Sequence, residues 1–459
     1  MMPIVKAPRP GGARMHEGNP AERWRRGMSN KETILRYLAQ HEEDSVRFLR
    51  LLLQIDSSDI EHGLDGQEER AQLFLRDALS DTGMELRLTE PVPERMKGFA
   101  EYTEGHNYKG RPNLIGTLRG SGGGRSLLLN GHVDTMAPGD RKEWTFDPWS
   151  AEVKDGSIYA LGACDMKAGL AAMVCAIRAV SAHCRLKGDL LFASVVDEEG
   201  GGNGTLDCVA QGISADGAII SEPTDLKVCI ASRGVLVVHV HVDGQSGHPN
   251  FKWEKASAAE KAFKICAALN DLERRWLATK THPLLPRPTI TLGKISAGVA
   301  GTSIPSSCDM EFDVEFLPEE YRLDGTVRKT NGFDIEKEFT DEIMRVAAAD
   351  EWLSEHPPVV HVDQHVEPHS VSRGFPLIDI LAANDGEGVI SAFPCGADAR
   401  HLATGGIPAL IYGPGSMADA HNVNEKVSIA QYLHCISALA STIVDWCEPD
   451  EDAKPILNQ

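Results

Sequence analysis

Two adjacent glutamates, Glu198 and Glu199, follow Asp197 and the apolar run Leu190-Leu191-Phe192-Ala193-Ser194-Val195-Val196. Carboxylates at the end of a buried strand are costly unless a cation holds them. Side chains alternate along a strand, so the pair points in opposite directions unless the chain bends at the following glycines, Gly200 to Gly202. This arrangement suits two roles: one carboxylate binds a metal and the other faces a substrate as a base.

Other groups of the same chemistry also follow short apolar runs. They are His132 and Asp134 after Leu127-Leu128-Leu129-Asn130, Glu222 after Ile219-Ile220-Ser221, and His421 after Ile411-Tyr412-Gly413-Pro414-Gly415. Parallel strands place their carboxyl ends on one edge of a sheet, where ligands bind in open α/β folds. Asp165 precedes a predicted helix near Lys167, where a helix N-terminus also favours an anion. These distant residues are therefore expected to converge.

Imidazoles with carboxylates, and no thiolate at these positions, fit Zn²⁺, Mn²⁺ or Co²⁺. Asp134 stands where it could accept the second ring N–H of a ligating His132. The five candidate ligands are His132, Asp165, Glu199, Glu222 and His421. They suffice for two ions if one carboxylate bridges and water fills the remaining positions, which gives an open pair of ions suited to catalysis.

Alternating helical and apolar strand segments predict an α/β catalytic domain with a mainly parallel sheet and helices on both faces. The first helix is expected over 31–54 and an Ala-rich helix over 167–182. Half-buried strands at 235–242 and 309–316 predict an inserted α+β domain. The expected boundaries are a disordered extension at 1–29, the catalytic domain at 30–229 and 353–459, and the insert at 230–352.

The chain has 459 residues, a net charge of −21 and 42% hydrophobic residues, as expected of a globular protein of two or three domains. The charge argues against nucleic acid or an anionic membrane as a partner, and no apolar run approaches the length of a membrane span of about 20 residues. The basic N-terminus lacks the apolar segment of a secretory signal. Ten cysteines without CxxC spacing indicate reduced thiols and a cytoplasmic protein.

Several motifs in this order resemble the M20 family of metallopeptidases and deacylases. They are Gly131-His132-Val133-Asp134-Thr135, Trp144-Thr145-Phe146-Asp147-Pro148-Trp149, Gly162-Ala163-Cys164-Asp165-Met166-Lys167-Ala168-Gly169, Asp197-Glu198-Glu199-Gly200, Ser221-Glu222-Pro223-Thr224, Gly396-Ala397-Asp398-Ala399-Arg400 and Tyr412-Gly413-Pro414-Gly415 ahead of His421. The resemblance covers nearly everything after residue 30.

The resemblance implies a role for each matching residue. Asp165 resembles the bridging carboxylate, His132 and Glu222 resemble the ligands of one metal, and Glu199 and His421 resemble those of the other. Asp134 resembles the partner of His132, and Glu198 the general base that passes a proton from water to the leaving nitrogen. The insert resembles a lid that also forms homodimers. Its His248 matches a histidine that stabilises the oxyanion, often across the dimer.

This sequence departs from the family pattern where the substrate is recognised. Thr302 stands where many members have Asn, and Glu315 stands where several have an Arg that binds the substrate carboxylate. Arg400 is a replacement candidate for that clamp, with a structural ion pair as the alternative. The metal ligands are unaffected by these changes.

The resulting hypothesis is a hydrolase with two divalent ions, Zn²⁺ in first place and Mn²⁺ or Co²⁺ as alternatives, that cleaves an N-acyl amino acid or a related small amide. The segment 349–358 resembles deacetylase-like members and favours deacylation. A dipeptidase or carboxypeptidase of the same family is the alternative. A descendant that binds metal or ligand without catalysis is a further one, and the intact ligand set with Glu198 argues against it.

Overall fold

The computed structural model describes residues 29–61 and 63–453. Its α-helices are α1 Asn30–Gln40, α2 Glu42–Leu53, α3 Glu69–Leu79, α4 Pro93–Met96, α5 Ala168–His183, α6 Asn203–Ala210, α7 Ala258–Thr279, α8 Gly332–Ala348, α9 Pro376–Asp385, α10 Ala399–Thr404 and α11 Ile429–Cys447.

The strands are β1 Asp59–Ile60, β2 Asp65–Gly66, β3 Glu85–Thr89, β4 Asn113–Leu118, β5 Leu127–His132, β6 Glu152–Lys154, β7 Ser157–Tyr159, β8 Leu190–Val195, β9 Gly217–Ile220, β10 Val228–Ser232, β11 Gly234–Asp243, β12 Thr289–Ala297, β13 Ser307–Phe316, β14 Glu319–Tyr321, β15 Val327–Lys329, β16 Val359–Val366, β17 His369–Ser370, β18 Ile390–Phe393, β19 Ala409–Ile411 and β20 Lys426–Ser428.

The larger sheet has the order β17-β10-β19-β9-β5-β8-β4-β3, and β18 pairs with β10. Its centre, β19-β9-β5-β8, is parallel, whereas β4 pairs antiparallel with β8 and β10 antiparallel with β19. Every residue of β5 and β9 is buried, so helices cover both faces of the sheet, as a buried parallel sheet requires. The predicted α/β class is confirmed.

A second, four-stranded antiparallel sheet has the order β12-β13-β11-β16. Alternate residues of β11 and β13 are buried, and they form an apolar core with α7 and α8 that includes Trp276 and Phe339. Antiparallel sheets commonly bury one face in this way. We call this sheet and its two helices the lid domain.

Two predicted domain boundaries need correction. The lid domain was expected over 230–352, but β10 pairs within the larger sheet as far as Ser232, and β16 pairs with β11. The lid domain therefore runs from Gly234 to Val366, and the catalytic domain resumes after it rather than at 353. The physical reason is that the segment 359–366 forms backbone hydrogen bonds along the second edge of β11 and so extends the lid sheet.

The N-terminal part of the described chain also differs from expectation. The helix predicted over 31–54 is two helices that meet at His41, whose Nδ1 donates to the Tyr37 carbonyl. The extension predicted over 1–29 lies outside the described residues except for Ser29. Ser29 forms a capping box with Glu32 at the start of α1. No helix among the described residues is both long enough and apolar enough to cross a membrane.

Candidate active site

The parallel centre of the larger sheet brings the predicted residues to one edge. His132 is the last residue of β5, Glu198 and Glu199 follow β8, and Glu222 follows β9. The loop after β19 carries His421. Because β8, β5, β9 and β19 are parallel neighbours, all these positions lie beyond the carboxyl ends of adjacent strands.

Asp165 lies between the two histidines. Its Oδ1 is 3.1 Å from Nε2 of His132, and its Oδ2 is 3.3 Å from Nε2 of His421. The turn at Ala163–Lys167, directly before α5, carries this aspartate. Nε2 of His421 is also 3.0 Å from Oε2 of Glu199, and Nε2 of His132 is 3.9 Å from Oε1 of Glu222. Asp165 therefore divides the cluster into two halves, one at each histidine.

The donor atoms fit divalent ions. His132, Asp165 and Glu199 place ligand atoms within 4.8 Å of one another. Oε1 of Glu222 is buried and has no hydrogen-bond partner among the described residues. Hydrogen bonds to Asp165 and Glu199 raise the pKa of His421 to about 11, so this position favours positive charge. Buried carboxylates that face imidazole nitrogens in this way are stabilised by a cation.

Asp134 contacts two of the candidate ligands, His132 and Glu199. Nδ1 of His132 donates to the backbone carbonyl of Asp134 at 3.0 Å, whereas the Asp134 carboxylate is 3.5 Å from the same nitrogen. The Asp134 carboxylate accepts the backbone N–H of Glu199 at 3.0 Å. The ring N–H of His132 therefore bonds mainly to the backbone carbonyl of Asp134, whereas the carboxylate of Asp134 was the predicted acceptor. The carboxylate instead connects the two halves of the site. With Nδ1 donating, Nε2 of His132 is free to bind a metal.

Glu198 differs from Glu199 in its surroundings. Its Oε2 is 4.0 Å from Nε2 of His132, and no hydrogen bond to the Glu198 carboxylate occurs within the described chain. Burial raises the pKa of Glu198 to about 7, a rise that the His132 charge opposes and the Glu199 charge reinforces. A carboxylate poised near neutrality can both accept and return a proton.

Glu425 is a buried residue that the sequence analysis missed. Its carboxylate accepts backbone N–H groups from Gly162, Cys164 and Asp165 at 2.8, 2.8 and 3.0 Å. It therefore fixes the turn that carries the bridging aspartate. Its only signal in the sequence is its place four residues after His421, which does not distinguish it from a surface glutamate.

Arg400 forms an ion pair and a hydrogen bond with other residues of the chain. Its Nε is 3.0 Å from Oε1 of Glu101, and its Nη2 donates to the carbonyl of Gly201 at 2.9 Å. The side chain is buried. Of the two alternatives for Arg400, a clamp for a substrate carboxylate and a structural ion pair, these contacts fit the ion pair, which supports the glycine turn after Glu199. Glu315, in turn, forms an ion pair with Arg233, the residue that joins the two sheets.

His248 and Thr302 lie together on the lid domain. Gly247 and Ile304 form an isolated antiparallel bridge that brings their two segments side by side. His248 and Thr302 are both exposed. Nδ1 of His248 accepts the backbone N–H of Asn250 at 3.2 Å. The structure therefore places these two predicted residues in neighbouring segments of the lid domain.

The sheet-edge cluster of imidazoles and carboxylates defines an α/β enzyme with a candidate metal centre. Residues 128–445 match the family described as "Peptidase family M20/M25/M40". That match covers most of the chain, and the chain belongs to this family. Members similar to it are named as amide-cleaving hydrolases, and the chain is a hydrolase of the same family.

Two curated relatives illustrate the similarity. The chain is 32% identical over 368 residues to N-formyl-4-amino-5-aminomethyl-2-methylpyrimidine deformylase of Halalkalibacterium halodurans, which covers 74% of this chain and 84% of the relative. It is 28% identical over 390 residues to acetylornithine deacetylase of Edwardsiella ictaluri, with 84% and 93% covered.

Solved structures share the fold. A tripeptidase from Staphylococcus aureus superposes with a TM-score of 0.68 at 20% identity and covers 88% of this chain and 98% of its own. Human carnosine dipeptidase 1 gives a TM-score of 0.64 at 16% identity, with 92% and 99% covered. These similarities agree with a catalytic domain that carries a lid domain.

Proposed function

We propose that this protein is a dinuclear metal-dependent hydrolase that cleaves the amide bond of an N-acyl amino acid or a related small amide. The observation that carries the proposal is the bridging geometry of Asp165, whose two oxygens reach His132 at 3.1 Å and His421 at 3.3 Å. His132 and Glu222 would complete one metal site, and Glu199 and His421 the other. Zn²⁺ is the first expectation, with Mn²⁺ and Co²⁺ as alternatives.

Glu198 is the proposed general base. Two divalent ions, when bound, polarise the substrate carbonyl and acidify water. The Glu198 carboxylate lies 4.0 Å from Nε2 of His132 and has no hydrogen-bond partner among the described residues, so it can take a proton from water. It then returns that proton to the leaving nitrogen. Asp134 keeps the Glu199 backbone in place during both transfers through its 3.0 Å hydrogen bond.

The substrate is proposed to carry a small acyl group on an amine. The relatives named above are, by their names, a deformylase and a deacetylase. Two arginines that could bind a substrate carboxylate are already paired, Arg233 with Glu315 and Arg400 with Glu101. This pairing favours a small amide whose amine part lacks a carboxylate over an N-acyl amino acid.

A panel of substrates tests this proposal. Metal-loaded protein is assayed with N-formyl and N-acetyl aminomethyl heterocycles, N-acetyl amino acids and dipeptides. We expect release of the acyl group, with formyl or acetyl amides as the best substrates and Glu198→Gln as the inactive control. Turnover of dipeptides alone, or equal rates for wild type and Glu198→Gln, would overturn the proposal.

We also propose a homodimer formed through the lid domain. β12 is an edge strand whose residues from Thr291 onward are exposed, among them Leu292 and Ile295. The segments between β11 and β13 also carry the exposed apolar side chains of Trp253, 77% exposed, and Val299, 94% exposed. Unprotected apolar edges commonly mark interfaces. Light scattering should give a dimer for the wild type and a monomer for Leu292→Lys/Ile295→Lys; a monomeric wild type would reject this interface.

The cysteines support a reducing compartment. All ten are free thiols, and most of them are buried. Disulfides are uncommon in the cytoplasm, and we propose this as the location of the enzyme. Fractionation of cells that produce the full chain tests it, and recovery outside the cytoplasm would contradict it.

A further inference from the structure

The backbone turns sharply where β8 delivers Glu198 and Glu199 to the site. Asp197 has a φ of 67°, a left-handed conformation that non-glycine residues adopt infrequently. The carbonyl of Asp197 accepts from Gly202 at 2.7 Å, and the carbonyl of Glu198 accepts from Gly201 at 3.0 Å. This turn ends the alternation of the strand, and it decides where the two glutamate side chains point.

The Asp197 side chain lies in a buried polar network formed by residues from another part of the chain. Its carboxylate accepts from the Tyr108 hydroxyl at 2.6 Å and from Nδ1 of His106 at 2.9 Å. Nη2 of Arg111 lies 3.8 Å away and is held in turn by Glu68 at 2.6 Å. The carboxylate has no exposed surface. The segment 106–111 thus holds Asp197, the residue directly before the glutamate pair, by hydrogen bonds and charge.

Two glycines make room for the Asp197 carboxylate. A Cβ placed on either Gly63 or Gly200 would come within 2.3 Å of Oδ1 of Asp197, far inside van der Waals contact. Asn203 donates to the Tyr108 hydroxyl at 2.6 Å and so fixes the direction of that hydroxyl. The hydrogen bonds to the Asp197 carboxylate together can offset the cost of the left-handed backbone at this residue.

We propose that Asp197 is a positioning residue. Its buried carboxylate, the anchor, holds the turn in the conformation that directs the Glu199 side chain to the metal and the Glu198 side chain to the substrate. The assignment rests on the proposed function of Glu198. The contacts described here join Asp197 to 106–111 and not to the candidate metal ligands. Its influence on catalysis therefore passes through the backbone of the turn.

Asp197→Asn tests the anchor. Asparagine keeps the shape but has one acceptor oxygen, and its NH₂ group would face a donor, either Tyr108 or His106. We expect kcat to fall by about 100-fold, as small misplacements of catalytic groups do, while KM stays within about threefold. In the metal-free protein, the rate of amide hydrogen–deuterium exchange in a peptide over 197–202 should rise by about tenfold or more.

Asp385→Asn is the matched control. Asp385 is also buried and accepts from a tyrosine hydroxyl, Tyr412 at 2.7 Å, with Nε2 of His434 at 3.1 Å. It lies at the end of α9, outside the catalytic machinery. We expect this variant to keep wild-type kcat. In a Glu198→Gln background, Asp197→Asn should cost clearly less than it does in the wild type, because much of its effect passes through Glu198.

Three results would overturn the inference: a kcat for Asp197→Asn within threefold of wild type, an equal loss in Asp385→Asn, or a full further loss in the Glu198→Gln background. If neither wild type nor Asp385→Asn hydrolyses any amide, the proposed function fails. Deuterium uptake over 197–202 then decides the anchor separately: faster exchange in Asp197→Asn supports it, and unchanged exchange rejects it.

Discussion

The backbone N–H of Asp165 donates to Oε1 of Glu425 at 3.0 Å, while the Asp165 side chain reaches both histidines of the site. One residue therefore carries the bridge and another, 260 positions later, holds its backbone still. This division explains how a short turn before α5 keeps two carboxylate oxygens aimed at two separate halves of the site.

Replacing Glu425 should weaken metal binding. In Glu425→Gln the side-chain NH₂ group would face a backbone N–H of the turn that carries Asp165. We expect about 10- to 100-fold lower affinity for Zn²⁺, a typical cost of losing support behind a ligand, with the fold kept. Competition titration with a chelating dye measures this affinity. Glu387→Gln, at an exposed position, is the control, and equal affinities in the two variants would contradict the prediction.

Substitution of Glu198 and substitution of Glu199 should have different effects. Glu198→Gln is expected to lower kcat by roughly 10²- to 10⁴-fold, the usual contribution of a general base, and to retain both ions. Glu199→Gln should lose about one equivalent of metal, because Glu199 pairs with His421 at 3.0 Å. Elemental analysis after gel filtration, run beside steady-state kinetics, distinguishes the two. Loss of metal from Glu198→Gln would make it a ligand instead.

Complementation should locate the partner of His248. His248 lies on the lid domain beside Thr302 and is exposed, so a proposed dimer can offer it to the other subunit. Mixed and re-equilibrated Glu198→Ala and His248→Ala chains should recover about a quarter of wild-type activity, since half of the dimers are hybrids with one intact site. A mixture of Glu198→Ala with Glu198→Gln is the control. No recovery in the test mixture would place His248 in its own site.

Stability should fall in mild acid because of His369. Burial lowers the pKa of His369 from 6.5 to about 4, while Nε2 donates to the Ala409 carbonyl at 2.8 Å. The unfolded chain takes up this proton near pH 6.5 but the folded chain does not, so the free energy of unfolding falls as pH drops from 6.5 to 4. The group contributes about 3 kcal/mol to this loss.

Urea unfolding at several pH values measures this effect. His369→Gln should show a flatter dependence on pH than the wild type between 6.5 and 4, whatever its absolute stability. His356→Gln, at an exposed position, should keep the wild-type dependence. Parallel curves for wild type and His369→Gln would show that His369 is not the titrating group.

The sequence was sufficient to predict the α/β class and the gathering of the candidate ligands. Strand ends in a parallel sheet share one edge, so His132, Glu199 and Glu222 could be placed without coordinates. Asp165 followed from the helix after it. These predictions needed only local patterns and one rule of sheet geometry.

The supporting contacts could not be predicted in the same way. The pairs Glu425 with the Asp165 turn and Arg400 with Glu101 join residues far apart in the chain, and a buried glutamate carries no local sign of its burial. The lid boundary was wrong because β16, Val359–Val366, is largely exposed and contains His361 and His365. Its strand structure depends on pairing with β11, which local composition does not reveal.

The position of β19 has a consequence for synthesis on the ribosome. β19 lies between β9 and β10, although Ala409–Ile411 is made long after both of its neighbours. The larger sheet can close only when this late segment has left the exit tunnel, since domains fold as units during translation. Until then β9 and β10 offer open edges, and the His421 half of the site does not exist. While the segment between β10 and β19 is being made, these open edges are exposed to misassociation, and the complete set of candidate ligands exists only after His421 has been added.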